Sequence, residues 1–273
     1  MIQSTNNWPL VDCHFHSEHS DDSDAPLAAF CRRAQQLGFS YICPTEHADF
    51  DPQDSGCGYL NIEAYSRDLK ACREQFAGQM VILQGVEADY QSRFDSDVRA
   101  FLGQHSFDFV IGSTHYVDGF FVVKALLEAY DQDTAYRRYF SAVQETAASG
   151  LFDVLGHLDL LKRHSTTRWG AFDPRRYMDE IEAVLQAAVD TGTGLEINTS
   201  GLRQAPGETF PGLASLRRYR ELGGEVLTLG SDAHRTTDMG RDIRSGLELA
   251  RAAGFKAITI FVKRKPHWLN IDD

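Results

Sequence analysis

Six of the ten histidines in this 273-residue chain stand at the ends of short β-rich runs. They are His14 and His16 in Asp12-Cys-His-Phe-His16, His47 in Thr45-Glu-His47, His115 in Gly112-Ser-Thr-His115, His157 in Gly156-His-Leu-Asp159, and His234 in Ser231-Asp-Ala-His234. Two carboxylates keep them company: Glu87 closes Gly85-Val-Glu87, and Asp232 stands two residues before His234. Along a strand, side chains i and i+2 point the same way, so His-x-His delivers two imidazoles to one side. The Asp-x-His pair at 232 and 234 repeats that spacing with one carboxylate. Imidazoles plus carboxylates, with no clustered thiolates, suit Zn, Mn or Fe rather than a cysteine-based structural zinc. A lone histidine at a strand end is usually an ordinary polar residue; six of them in one pattern point to metal. His105, His164 and His267 carry no such signature and are expected at the surface or in caps, as is His19, although it lies close to the first His-x-His.

The elements that position these groups alternate along the chain. Strands are expected at Leu10–Phe15, Ser40–Thr45, Val81–Val86, Phe109–Ser113, Asp153–Gly156, Gly194–Asn198, Val226–Gly230 and Ala257–Val262. Helical patterns lie between them. In Pro26–Leu37 the residues Leu27, Phe30, Cys31, Ala34 and Leu37 form one stripe, with Asp24 as the expected N-cap and Gly38 as the stop. Tyr177–Val189 repeats the stripe ahead of Gly192, and Leu213–Leu222 and Ile243–Ala253 follow the same grammar. Strand-then-helix alternation throughout predicts an α/β fold with a mostly parallel sheet, closed or nearly closed into a barrel, over one domain spanning 1–273. An open doubly wound sheet is the alternative. In a parallel barrel all strand C-termini share one face, so the fold itself gathers ligands that are far apart in sequence. One stretch, Ala48–Leu60, is rich in Asp, Gly and Pro directly after a strand, and reads as either a solvated loop or a lid.

Composition narrows the possible partners. The chain has 42% hydrophobic and 24% charged residues and a formal charge of −12, from 39 Asp plus Glu against 27 Lys plus Arg. That balance argues against a nucleic-acid binder working through a broad basic face, but permits one small phosphate ester at a locally positive site. The polar start Met1–Pro9 carries no secretory pattern, and no apolar run reaches the ~20 residues of a membrane span. Cys13, Cys31, Cys43, Cys57 and Cys72 contain no CxxC pair and are expected to be reduced core or helix residues, which fits a cytoplasmic location. Oligomeric state leaves no readable signal.

The ordered set His-x-His, Glu-His, Gly-x-Glu, Ser-Thr-His, Gly-His-x-Asp and Ser-Asp-Ala-His resembles the PHP (polymerase and histidinol phosphatase) superfamily, over about Asp12 to Asp242. The segments Gly85-Val-Glu-Ala-Asp-Tyr90 and Glu196-Ile-Asn-Thr-Ser-Gly-Leu-Arg203 look like its histidinol-phosphatase branch. The resemblance implies a distorted (β/α)7 TIM-like barrel holding three divalent metal ions at the C-terminal ends of its strands. It implies that one ion takes His14, His16, Glu87 and Asp232, and that a second shares Glu87 with His115 and His157. The third would take His47, His234 and the residue six beyond His16, a histidine in many members and Asp22 here, with Asp21 as its neighbour in register. It further implies that Arg203 and Arg163, or the nearby Arg168, grip the substrate phosphate, since guanidinium forks match phosphate oxygens.

The implied reaction is hydrolysis of L-histidinol phosphate, a step of histidine biosynthesis, by metal-activated hydroxide; a bound ion can lower the pKa of water from 15.7 towards ~7. A metal-bound water, Asp232 or His234 would protonate the leaving alkoxide, and no phosphoenzyme is expected. Asp12, Glu46 and Asp159 are candidate partners for the outer nitrogens of ligating histidines. Substrate contacts beyond the phosphate are expected from the loop after His47, from Tyr116 in Tyr116–Asp118, and from His19. Three rivals stand beside this reading. A PHP phosphoesterase for nucleotides would keep every ligand. An amidohydrolase-type barrel lacks the Ser-Asp-Ala-His ending and Glu87. A non-catalytic PHP module should have lost ligands.

Overall fold

The computed structural model describes residues 8–272; residues 1–7, most of the polar start, lie outside them. Short runs of Val, Ile, Leu and Phe form β1 (Val11–Asp12), β2 (Tyr41–Ile42), β3 (Thr45–Ala48), β4 (Val81–Ile82), β5 (Gly85–Asp89) and β6 (Phe109–Ser113). They continue as β7 (Tyr116–Val117), β8 (Phe120–Phe121), β9 (Val154–Leu155), β10 (Gly194–Asn198), β11 (Leu227–Gly230), β12 (Ala257–Val262) and β13 (Lys265–Asn270). One parallel sheet runs β11-β10-β9-β6-β5-β3 and a second runs β1-β2-β4. β2 and β3 lie along one strand path broken at Pro44, which has no N–H to give a ladder, and β4 and β5 lie along another. Beyond β1 the chain bonds to the last parallel strand: Cys13 N–H donates to Leu229 O at 2.8 Å, and His16 N–H to Ala233 O at 2.9 Å. The result is an α/β fold with a curled parallel sheet.

Every residue of β5, β6, β10 and β11 is buried, as expected for a parallel sheet covered by helices. The cover consists of α1 (Leu27–Leu37), α2 (Ile62–Gln75), α3 (Asp95–Gln104), α4 (Ala125–Ala129), α5 (Gln132–Ala148), α6 (Lys162–Trp169), α7 (Met178–Thr191), α8 (Leu213–Glu221) and α9 (Ile243–Ala252). The stripe read in α1 is its buried face, Leu27, Phe30, Cys31 and Ala34, and Gly38 ends it at a left-handed φ of 78°. Asp24 does not cap it. Pro26 holds that position, with no side-chain bond to the first turn. α7 buries Ile181, Val184, Leu185 and Ala188 and stops at left-handed Gly192.

Two expectations are corrected. Ala257–Val262 is not another parallel strand: β12 pairs antiparallel with β13, because the tight turn at Lys263 and Arg264 folds the chain straight back. The cysteines are all free, but only four are buried; Cys57 is exposed, on the turn-rich stretch after β3. Among the described residues no helix is long and apolar enough to cross a membrane.

Candidate metal centre

The C-terminal ends of the parallel strands meet at one mouth, and backbone pairing sets which side chains face each other there. His47 on β3 is the direct neighbour of Glu87 on β5, and its Nδ1 lies 3.1 Å from Glu87 Oε2. His14 and His16 follow β1, held by Asp232 N–H donating to His14 O at 2.7 Å and by Phe15 bridging Ala233. Alternation then puts both imidazoles on one side, with their Nε2 atoms 3.1 Å apart and both rings fully buried. His157 and Asp232 leave their strands through positive φ, 23° and 51°, conformations costing on the order of 1–3 kcal/mol each that are retained where a site demands them. Gly230 is required beside them, because a Cβ there would run into His14 Cβ and Glu196 Oε1.

Glu87 is the hub. Its Oε2 lies 3.2 Å from His14 Nε2 and 3.4 Å from His16 Nε2, while Oε1 lies 2.7 Å from His157 Nε2 and 3.7 Å from His115 Nε2. Around it stand overlapping clusters: His47 with Asp49 and His115, His14 with His16 and Asp232, Glu87 with His115 and His157, and His16 with His47 and His234. Asp22 joins the last, 2.8 Å from His234 Nε2 and 3.6 Å from His47 Nε2. Asp21 instead accepts the Ser55 hydroxyl at 2.7 Å.

These donors fit divalent cations. Ligands at ~2.1 Å from a tetrahedral ion sit about 3.4 Å from one another, which is the spacing seen here. Two imidazole nitrogens 3.1 Å apart share at most one proton, whereas a cation between them satisfies both lone pairs. Electrostatics agree. Burial opposes charge on His14, but Glu196, Glu87 and Asp232 outweigh it and hold its pKa well above the ordinary value. Burial, reinforced by His47 and His234, pushes His16 down to about 3. Burial disfavours ionised Glu87 and Asp232 as well, yet His14 and the other imidazoles keep both well below the usual carboxylate range.

The outer partners of the imidazoles differ from the sequence candidates. His14 Nδ1 faces Glu196 Oε1 at 2.6 Å, His16 Nδ1 faces the Ser20 hydroxyl at 3.3 Å, and His115 Nδ1 lies 3.6 Å from Asp89. Asp12 accepts the Ser231 N–H and hydroxyl and the Gly240 N–H, so it ties β1 to the loop after β11. Glu46, next to His47 on a strand, points to the opposite side and accepts from Ser17 and Ser20. Asp159 pairs with Lys162.

A cavity of about 420 Å³ opens over the cluster. His47, Glu87, His115, His157, Asp232 and His234 line its floor, and Asp22, Arg163 and Tyr116 its sides. The stretch after β3 contributes Asp49, Gln53, Asp54 and Ser55, and β8 contributes Phe121. Apart from the loop itself, none of these was marked in the sequence, since they carry no motif. An adjoining cleft of about 600 Å³ is lined by Arg163, Arg203, Arg235, Asp22 and His234. Arg203 donates through Nη2 to Ser231 O at 2.6 Å and Asp232 O at 3.1 Å. Its buried Nη1 has no hydrogen-bond partner among the described residues. Arg168 is exposed and lies on neither. His19 also lies outside both: its ring is 5.5 Å from that of Tyr65, and Nε2 is 3.3 Å from Asp68 Oδ2.

Comparison with known proteins gives the family of the chain. The PHP domain family model matches residues 12–200. A "probable histidinol-phosphatase" of Deinococcus radiodurans is 30% identical over 259 residues, 92% of this chain and 96% of that protein. The histidinol-phosphatase of Lactococcus lactis subsp. lactis is 28% identical over 92% of this chain and 94% of its own. The crystal structure of histidinol phosphate phosphatase from Lactococcus lactis subsp. lactis, complexed with zinc, L-histidinol and phosphate, superposes with a TM-score of 0.88 at 27% identity, covering 94% of this chain and 98% of that one.

Proposed function

The chain belongs to the PHP domain family, and from that premise we propose that it is a metal-dependent phosphomonoesterase hydrolysing L-histidinol phosphate to L-histidinol and phosphate. The observation that carries the reading is the convergence of three histidine–carboxylate clusters on Glu87, directly beside a cleft lined by Arg163 and Arg203. The seven parallel strand paths and the bonds joining residues 13–16 to 229–233 support taking the sheet as a distorted (β/α)7 barrel. We assign His14, His16, Glu87 and Asp232 to one ion, Glu87, His115 and His157 to a second, and Asp22, His47 and His234 to a third. Imidazole and carboxylate donors accept Zn, Mn or Fe. When bound, the ions supply Lewis-acid charge for the phosphoryl oxygens and lower the pKa of water to give a nucleophile at neutral pH.

The residues of the chain do the rest. Arg203 lines the cleft and is held there by two backbone carbonyls, so its guanidinium is already fixed beside the space a phosphate would take. Arg163 lines both the cavity and the cleft, and no ion pair among the described residues holds its guanidinium, which leaves it available to the same phosphate. Glu196 and Ser20 fix the ring planes of His14 and His16 from behind. Asp232 and His234 border the same cavity, beside the space an ester would take.

Asp49 and Asp54 line the cavity together with Tyr116 and Phe121. Asp54 Oδ1 accepts the Gly56 N–H at 2.7 Å, and its carboxylate is within hydrogen-bonding reach of Tyr116. This acidic, aromatic wall suits the ammonium and imidazole end of histidinol phosphate. The test is release of phosphate and histidinol in equal amounts from L-histidinol phosphate; no release overturns the proposal. In Asp54→Asn, preference for this substrate over an aryl phosphate is expected to fall about tenfold, the scale of one charge-assisted hydrogen bond. An undiminished ratio would remove Asp54 from substrate recognition.

A further inference from the structure

Lys162 is the most fully buried cation in the described chain, with no exposed surface, and the chemistry above does not use it. It opens α6, one residue before Arg163. Its Nζ donates to Asp159 Oδ2 at 2.8 Å, to Glu208 Oε1 at 2.9 Å and to Thr209 O at 2.8 Å, so all three protons are used. The rings of Phe210 and Phe172 lie 5.2 and 5.9 Å away and shield the charge.

Those partners belong to two different segments. Asp159 is on the loop after β9, which leads into Arg163. Glu208 and Thr209 are on the segment that follows Arg203 and turns back beneath it. Phe210 N–H donates to Asn198 O at 2.9 Å, Asn198 N–H donates to Phe210 O at 2.8 Å, and a Cβ at Gly201 would collide with Glu208 O. The 208–210 segment is therefore packed against residues 198–201, the short turn that ends in Arg203. Asn198 carries the link onward, since its Nδ2 donates to Asp232 Oδ2 and Glu196 Oε2, each at 3.2 Å.

Lys162 is thus the covalent neighbour of one arginine and is hydrogen-bonded to the backbone that supports the other. We propose that Lys162 is a positioning residue that sets the spacing of Arg163 and Arg203 as a two-armed clamp for the substrate phosphate. The assignment rests on the phosphatase reading of the site. A buried ammonium with three directional bonds is well suited to the task, because any shift of either segment strands a buried charge. Methionine in its place would keep the packing and lose the link.

The experiment measures KM for L-histidinol phosphate, Ki for inorganic phosphate and kcat, on metal-loaded protein, for Lys162→Met, Arg203→Ala and the double variant. Lys162→Met is expected to raise KM and phosphate Ki by about tenfold or more, the scale of one charge-assisted hydrogen bond, with a smaller change in kcat. In the Arg203→Ala background it should add little, because with one arm gone there is no spacing left to set. Unchanged KM and Ki in folded Lys162→Met, or effects that multiply with Arg203→Ala, overturn the inference. Should Lys162→Met fail to fold, Glu208→Gln takes its place. It takes the charge out of one bond at the half-exposed end of the network and is expected to raise phosphate Ki by about threefold; an unchanged Ki overturns the inference. If Arg203→Ala and Arg163→Ala by themselves leave phosphate Ki unaltered, the phosphatase reading of the arginines fails instead, whatever Lys162 does.

Discussion

Glu87→Ala is expected to abolish turnover, lowering kcat/KM by roughly four orders of magnitude, or about 5.5 kcal/mol of transition-state stabilisation. No other side chain faces so many ligands. Five imidazoles, those of His14, His16, His47, His115 and His157, point at its two oxygens across 2.7–3.7 Å. Its carboxylate is the only anion shared between the first two proposed ion sites. Alanine would leave the imidazoles around a gap, with only Asp232 and Asp22 among the proposed ligands to balance the dications. The expectation is therefore loss of bound metal as well as loss of rate. Steady-state kinetics with excess metal, together with metal analysis of the dialysed variant, check it. A variant within tenfold of the parent activity would show that Glu87 does not bridge.

Removal of the ions is the second large effect. Chelation is expected to reduce activity below about 1% of the loaded protein, and added Zn or Mn to restore it. Stability should move in parallel, because the ions bind the folded chain and not the unfolded one. At metal concentrations ~1,000-fold above Kd this linkage contributes about 4 kcal/mol, so the melting temperature should fall by roughly 10 °C on stripping. The physical reason lies in the burial. His14, His16 and Glu87 have almost no solvent contact, and their mutual spacing suits a shared cation better than direct contact. A melting temperature unmoved by chelation, with full activity, would contradict a resident metal.

The histidines and carboxylates of the proposed metal centre were legible because topology does the gathering. Once the chain reads as alternating strand and helix, each motif at a strand end has one place to go; Asp22 came instead from the resemblance, and it lies 2.8 Å from His234 Nε2. What surrounds them was less legible. Glu196 supports His14 from 182 residues away, a contact no local spacing encodes. Glu46 seemed a natural neighbour for His47, but adjacent strand residues point to opposite sides. Asp159 follows His157 past the end of its strand, where alternation no longer applies, and it turns to Lys162. That lysine reads in sequence as one more charge at a helix start; only the fold shows it enclosed by Phe172 and Phe210. The loop after β3 offered two readings, a solvated loop or a lid; its Asp49, Gln53, Asp54 and Ser55 line the cavity. Loop residues answer to tertiary packing rather than to a period, which is also why His19 lay open to a substrate role and instead packs beside Tyr65.

The net charge of −12 is consistent with this site. Acidic groups gather in the clusters around Glu87 and at Asp49 and Asp54 in the cavity, while the adjoining cleft sets Arg163, Arg203 and Arg235 among Asp22, Asp24, Asp232 and Asp238. A small ester with a phosphate at one end and positive charge at the other matches both. Rates on a matched set of phosphate esters separate this account from a broad or nucleotide-directed phosphoesterase. The deciding measurement is kcat/KM for L-histidinol phosphate beside a nucleoside monophosphate and a simple aryl phosphate, all with the metal-loaded protein. The account predicts a preference for L-histidinol phosphate of well over about tenfold, the discrimination expected when a charged group of the substrate is read directly; equal rates on all three would contradict it.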